Sequence, residues 1–162
     1  MNTIDWQFAD EPVSKNYVEK IGIELGFNFP KDYIHCAAEN NGANAEPELF
    51  LVGNKEKVFG TLLSFDNESD EFIVDVYNRY NKTLPNKVVP FAFDPAGNLI
   101  CFDYKGHKDN PVIVFWEHDN AWEKEMLMNE EKITKEQAEE LARENIFYVA
   151  ATFTEFLDKL HD

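Results

Sequence analysis

Cysteine is scarce in this chain: Cys36 and Cys101 are the only two among 162 residues, far apart and without C-x-x-C or metal-ligand spacing. That rules out a disulfide framework or a cysteine zinc site, and leaves two buried free thiols as the expectation, as in a reducing compartment. No stretch approaches the run of ~18 apolar residues that a membrane-spanning helix needs. The first residues, Met1 to Trp6, offer neither a basic n-region nor an apolar h-region, so a cytoplasmic location is expected. Internal repeats and low-complexity segments are missing as well.

The scarcest chemistry is positive charge. Fifteen Lys and Arg face 31 Asp and Glu, for a formal net charge of −16 and a pI near 4.5. Such a surface repels phosphate backbones and anionic lipid, which argues against a nucleic-acid or membrane partner. It favours a basic protein partner and speeds encounter with one, although acidity also serves solubility alone.

What the chain does have is a full apolar complement, 44% apolar and 14% aromatic with 14 Phe, enough for one domain over residues 1–162. Its centre is Pro90 to Tyr104. Phe91 and Phe93 alternate with small residues, Asp94-Pro95-Ala96-Gly97-Asn98 breaks the run, and Leu99 to Tyr104 resumes it. Two β-type runs around such a cluster predict a hairpin, with Asp94 bonding the N–H groups ahead of it and Gly97 accepting φ > 0. Val112 to Trp116 adds a third strand.

Around this meander, Ser14 caps a helix carrying Val18, Ile21 and Leu25, with Gly26 at its end. Pro30 opens a second helix with Tyr33, Ile34 and Ala37 inward, closed by Asn40-Asn41-Gly42. Residues 1–12 read as an irregular lead-in whose Trp6 and Phe8 dock on the body, and 43–48 as a loop. Leu49 to Val52 and Val58 to Phe65 read as strands around a turn at 53–56. Ile73, Val76, Tyr77 and Tyr80 mark a helix capped by Ser69 or Asp70. A polar stretch runs to Lys132, Thr134 to Gln137 forms a capping box for an acidic, mostly exposed helix, and Ile146 to Ala151 is extended. Thr152 caps the last helix, whose inner face is Phe153, Phe156, Leu157 and Leu160. Elements in this order predict an α+β fold, a mostly antiparallel twisted sheet with helices packed on it.

Four stretches together resemble the SUKH superfamily, which includes the yeast cell-wall assembly regulator and many bacterial immunity proteins. They are Ile23 to Tyr33 followed by Asn40-Asn41-Gly42, Val89 to Asp103, Ile113 to Asp119, and Ala151 to Leu157. The first is similar to the family's L-P-x-D-Y then N-G pattern, with Phe29 in place of the leucine. The second is similar to its D-x-x-G-N hairpin. Within the family the chain looks most like the Bacillus YobK-type proteins. Residues 120–146 depart from the pattern as an acidic insertion before the last helix. The resemblance implies a SUKH fold and a non-enzymatic immunity protein that neutralises a cognate toxin, such as an LXG-type toxin with an RNase or DNase end. A nuclease carries basic groups to hold phosphates, so an acidic protein fits it. An intracellular regulatory scaffold is the alternative.

Two clusters are candidate toxin-binding sites. The first is Asp66, Glu68, Asp70 and Glu71 with Asp75 a turn later, since no Lys or Arg occurs between Val58 and Asn78. Helix-dipole and capping preferences account for Asp70 and Glu71 but not for Asp66 and Glu68. The second is Glu117, His118 and Asp119 with Trp122 as an aromatic anchor. Acid–base or metal chemistry at this second cluster, a small hydrolase or metal-dependent enzyme, is a lesser reading because no nucleophile or further ligand falls in register. No cofactor and no metal is expected.

Overall fold

The computed structural model describes residues 3–162. Its elements are, in order, strand β1 (Asp5–Gln7), helices α1 (Lys15–Leu25) and α2 (Lys31–Glu39), and strands β2 (Asn44–Glu46), β3 (Leu49–Val52), β4 (Lys55–Val58) and β5 (Thr61–Leu62). Helix α3 (Ile73–Tyr80) leads to strands β6 (Val88–Phe93), β7 (Leu99–Asp103) and β8 (Val112–Trp116). Helices α4 (Lys124–Glu131) and α5 (Lys135–Arg143), strand β9 (Ile146–Ala150) and helix α6 (Phe153–Asp158) complete the chain. Seven strands form one sheet in the order β1-β2-β5-β6-β7-β8-β9, every pair antiparallel, and β3-β4 is a separate hairpin. The fold is α+β.

The predicted meander is the sheet's centre. Asp94 Oδ1 accepts from the N–H groups of Ala96 (3.0 Å) and Asn98 (2.8 Å), and Gly97 sits at φ 90°. Phe91, Phe102 and Phe115 line one face of the sheet under α2 and α6, where Tyr33 and Phe153 meet Phe91 and Phe102 edge-on or tilted. Phe50 of β3 reaches Phe115 there as well. Tyr33 is fully buried, so burial pushes its hydroxyl pKa well up. The opposite face carries Leu99, Cys101, Asp103, Val114 and Trp116; Tyr80 packs edge-on against Trp116, and Arg143 reaches Asp103.

Several expectations are corrected. The lead-in contains β1. Trp6 docks against Phe59, but Phe8 has left-handed backbone (φ 59°), which turns its ring outward to 82% exposure. The predicted loop 43–48 holds β2, an inner strand; its alternation of buried Ala43 and Ala45 with Asn44 and Glu46 is hidden by residues of low β-propensity. The predicted strand 58–65 is two pieces in two sheets, and the turn is Gly53-Asn54 alone. Gly60 is where the chain changes sheet: a Cβ there would stand 2.5 Å from the Phe93 carbonyl oxygen.

Neither Ser69 nor Asp70 caps α3. Ser64 takes that role through its backbone, accepting from Ile73 N–H (2.9 Å) while donating to Glu71 O (2.9 Å). The polar stretch after Asn120 contains α4, which buries nothing and so leaves no apolar period to read. Helix α5 buries Ala138 and Ala142, and the segment is pinned by polar contacts. Lys124 Nζ bridges Glu139 and Asn86, Glu139 accepts from Asn86 N–H, and Arg143 holds Asp103 through two bonds of 2.9 and 3.0 Å. Cys101 is buried, whereas Cys36 is only partly so.

Candidate protein-binding site

The acidic loop 66–71 owes its shape to short polar bonds. Asp66 Oδ1 accepts from Glu68 N–H (2.9 Å), Ser64 Oγ accepts from Asp66 N–H (3.0 Å), and Ser69 Oγ accepts from Glu71 N–H (3.1 Å). These turns spend the loop's backbone donors locally, and Asp66 and Glu71 each give one carboxylate oxygen to them, Glu71 accepting from Ser69 Oγ (3.3 Å). Asp66, Glu68, Asp70, Glu71 and Asp75 are all exposed. Among the described residues none of the five is ion-paired with a Lys or Arg. Asp75 lies in the first turn of α3, where the helix dipole also favours it.

Asn41 fastens this loop to the body. Its side-chain oxygen accepts from Phe65 N–H (2.7 Å) and its amide donates to Glu11 O (3.2 Å). The second bond brings in two acids that the sequence reading passed over. Asp10 and Glu11 are exposed and border one shallow groove with Asp66 and Asn67, and Ser64 Oγ donates to Asp10 Oδ2 (3.3 Å). The signal available was the Asp10-Glu11 pair, but nothing in the spacing tied it to residue 66.

The second cluster stands across the hairpin turn from the first. Asp70 and Glu71 line a groove with Gly97, Leu99 and Tyr80, and the His118 ring lies against Gly97, 3.5 Å from where a Cβ would be. Arg79 lines the same groove, so the negative field there is partly compensated. His118 Nδ1 donates to Asn98 Oδ1 (2.7 Å), and that oxygen also takes the His118 backbone N–H (3.1 Å). Asn98 is oriented in turn by Asp94, whose Oδ2 accepts from its amide at 3.0 Å. The imidazole is thereby a clasp on the hairpin, with Nε2 3.4 Å from Asp119.

The Glu117 backbone N–H donates to Asn145 O while its side chain is half-buried, and Asp119 and Trp122 are exposed, Trp122 to 58%. Among the described residues no three His, Cys, Asp or Glu side chains gather as a metal set, and no helix is long and apolar enough to cross a membrane. The arrangement is a rim of carboxylates from Asp10 through the 66–71 loop to Asp119, with the exposed Trp122 three residues further along the chain. Such a surface offers charge and anchoring to a protein.

No curated protein matches the chain at the significance applied. A model of the SMI1 / KNR4 family (SUKH-1) matches residues 12–159. The family includes immunity proteins, which bind toxin proteins, and its members are generally non-enzymatic immunity or regulatory proteins. A match from just before α1 to the end of the last helix covers every strand but β1, the hairpin and both candidate clusters, and the chain belongs to the SMI1/KNR4 (SUKH-1) family.

Proposed function

We propose that this protein is an immunity protein of the YobK type, one binding domain that neutralises a cognate toxin by occupying its basic surface. The resemblance to YobK-type proteins implies a toxin of the LXG class with a nuclease end, and charge agrees with a nuclease: it must present cations to phosphate, and those cations are what a −16 protein attracts. One observation carries the reading: Asp66, Glu68, Asp70 and Glu71 are exposed on a tightly bonded loop, and among the described residues no Lys or Arg is paired to them. A loop shaped only by solvation needs neither the Asn41 fastening nor the bonds that spend its amides. Glu117, His118, Asp119 and Trp122 extend the contact across the hairpin turn, with Trp122 as the anchor. The protein acts in the cytoplasm, by stoichiometric binding and without turnover.

The test is protection. Where a toxin-like gene lies beside the one that encodes this protein, its C-terminal domain is expressed in a susceptible bacterium with and without this protein, and the two are purified together. Rescue with a co-eluting one-to-one complex is the expected result. Persisting toxicity at good expression of this protein would remove that pairing and shift weight to the regulatory scaffold reading.

A further inference from the structure

The sheet has two ends, and they are finished differently. At one end β1 is three residues long and carries Asp5. At the other, β9 reads Ile146-Phe-Tyr-Val-Ala150, five uncharged residues, with Phe147 40% and Tyr148 58% exposed. An open, apolar edge is a template for another strand unless it is guarded.

The register says which part is open. Glu117 N–H bonds Asn145 O, and Trp116, Phe115 and Val114 stand opposite Ile146, Phe147 and Tyr148. In an antiparallel ladder the bonded pairs alternate, so the groups of Phe147 turn toward β8 while the N–H and C=O of Ile146 and Tyr148 turn away from it. Past Tyr148 the register shifts, and Lys159 Nζ caps Val149 O at 2.8 Å. The second half of the edge is therefore guarded by a lysine of the chain itself; β3 packs close to β9, but among the described residues nothing bonds the outward backbone groups of Ile146 and Tyr148.

Phe147 and Tyr148 project to opposite faces of the sheet. A partner lying flat on either face covers only one of them. A strand added in the plane of the sheet covers both and takes up the four outward backbone groups. The surroundings select its charge: Glu117 and Asp119 lie beyond the end of β8, Glu144 precedes β9, and the whole molecule carries −16, which repels a second copy.

We propose that Ile146 to Tyr148 is a strand-addition site for an extended segment of a basic protein, apolar opposite Phe147 and Tyr148 and carrying Lys or Arg toward Glu117, Asp119 and Glu144. This rests on the immunity reading for the identity of the partner and adds the manner of attachment.

The probe is an acetylated, amidated nine-residue peptide alternating lysine with valine, with a glutamate–valine peptide as control, added to the full chain while amide exchange is followed by NMR. The lysine peptide is expected to slow exchange at Ile146 and Tyr148 at least threefold, and the glutamate peptide not at all. Tyr148→Pro removes the outward N–H together with the Tyr148 ring, takes no ladder bond from β8, and is expected to abolish the slowing at Ile146. Should that variant fail to fold, the double change Phe147→Thr and Tyr148→Thr keeps strand propensity, removes both anchors and is expected to weaken binding tenfold. No slowing by the lysine peptide overturns the site. Slowing that grows with protein concentration in the absence of peptide overturns the choice of occupant in favour of a second copy. The toxin domain of the protection test separates the two readings. Complex formation with exchange unchanged at Ile146 and Tyr148 overturns strand addition alone. Failure to bind, with the peptide effect intact, overturns the toxin pairing alone.

Discussion

Single side chains decide whether the acidic rim has a fixed shape. Asn41 is 1% exposed and bonds Phe65 N–H and Glu11 O at once, so Asn41→Ala strands a buried donor and frees two acidic segments together. A loss of about 1–3 kcal/mol in denaturant unfolding is expected. Faster amide exchange at Phe65 and from Asp66 to Glu71 should accompany it, and unchanged exchange there would show that Asn41 does not hold the rim. Arg143 is the other decisive residue. Its two bonds to Asp103, whose side chain is only 10% exposed, make Arg143→Ala a change that leaves a nearly buried carboxylate without its cation. About 3 kcal/mol of destabilisation is expected from the same measurement.

The thiols give a pH prediction. Burial, the largest cause, pushes the Cys36 thiol from its ordinary value of 9.0 up to about 12, against a weaker downward pull from the Asn40 hydrogen bond. Burial raises Cys101 as well, and Tyr104 too, with Asp109 adding to the latter. A group whose folded value lies above its unfolded one contributes stability that is full below the unfolded value and is lost as pH rises toward the folded one. The thermal midpoint is therefore expected to hold up to about pH 9, where an unfolded thiol begins to ionise, and to fall as pH climbs from there toward 12. Native Cys36 should alkylate at pH 8 far more slowly than a free thiol, since the thiolate is the nucleophile. Rapid alkylation of the folded protein would contradict its burial.

At the scale of elements, what the sequence discloses depends on how each one is held. The hairpin is legible because Asp94, Gly97 and Asn98 carry their geometry in their chemistry. Helices α1, α2 and α6 are legible because each buries an apolar stripe. Strand β2 is not, because small residues make an inner strand without β-branched side chains, and α4 is not, because it buries nothing. The first acidic cluster is legible as a run without cations, whereas Asp10 and Glu11 join it only through Asn41 and Ser64, contacts across many residues of chain. His118 reads as part of a recognition cluster in the sequence, and its second role, clasping the hairpin through Asn98, shows only in the fold.

The acidic segment 120–146 follows the same logic. Exposed charge predicts a solvated helix, yet Lys124, Glu139 and Arg143 tie the segment to Asn86 and Asp103. Replacing it with a short Gly/Ser link should lower the thermal midpoint by about 10 °C or more, the size expected when several kcal/mol are lost from a chain of this length. A midpoint within about 2 °C of the parent would mean the segment is only appended.

For the whole molecule, charge decides how it meets a partner. With −16 in total and unpaired carboxylates gathered in one rim, long-range attraction should set the association rate while local packing sets the dissociation rate. Salt should then act mainly on association. The most direct measurement is the association rate with the toxin domain of the protection test, at low and moderate salt, for the parent and for the triple variant Asp66→Lys, Glu68→Lys, Asp70→Lys. The parent's rate is expected to fall steeply as salt is added. The variant's rate should be at least tenfold lower at low salt and less sensitive to salt than the parent's, with a thermal midpoint only a few degrees lower at most, since these side chains are exposed and the Asp66 bond to Glu68 N–H is the backbone bond lost. A variant that associates as fast as the parent at both salt concentrations would contradict the acidic rim as the toxin-binding surface.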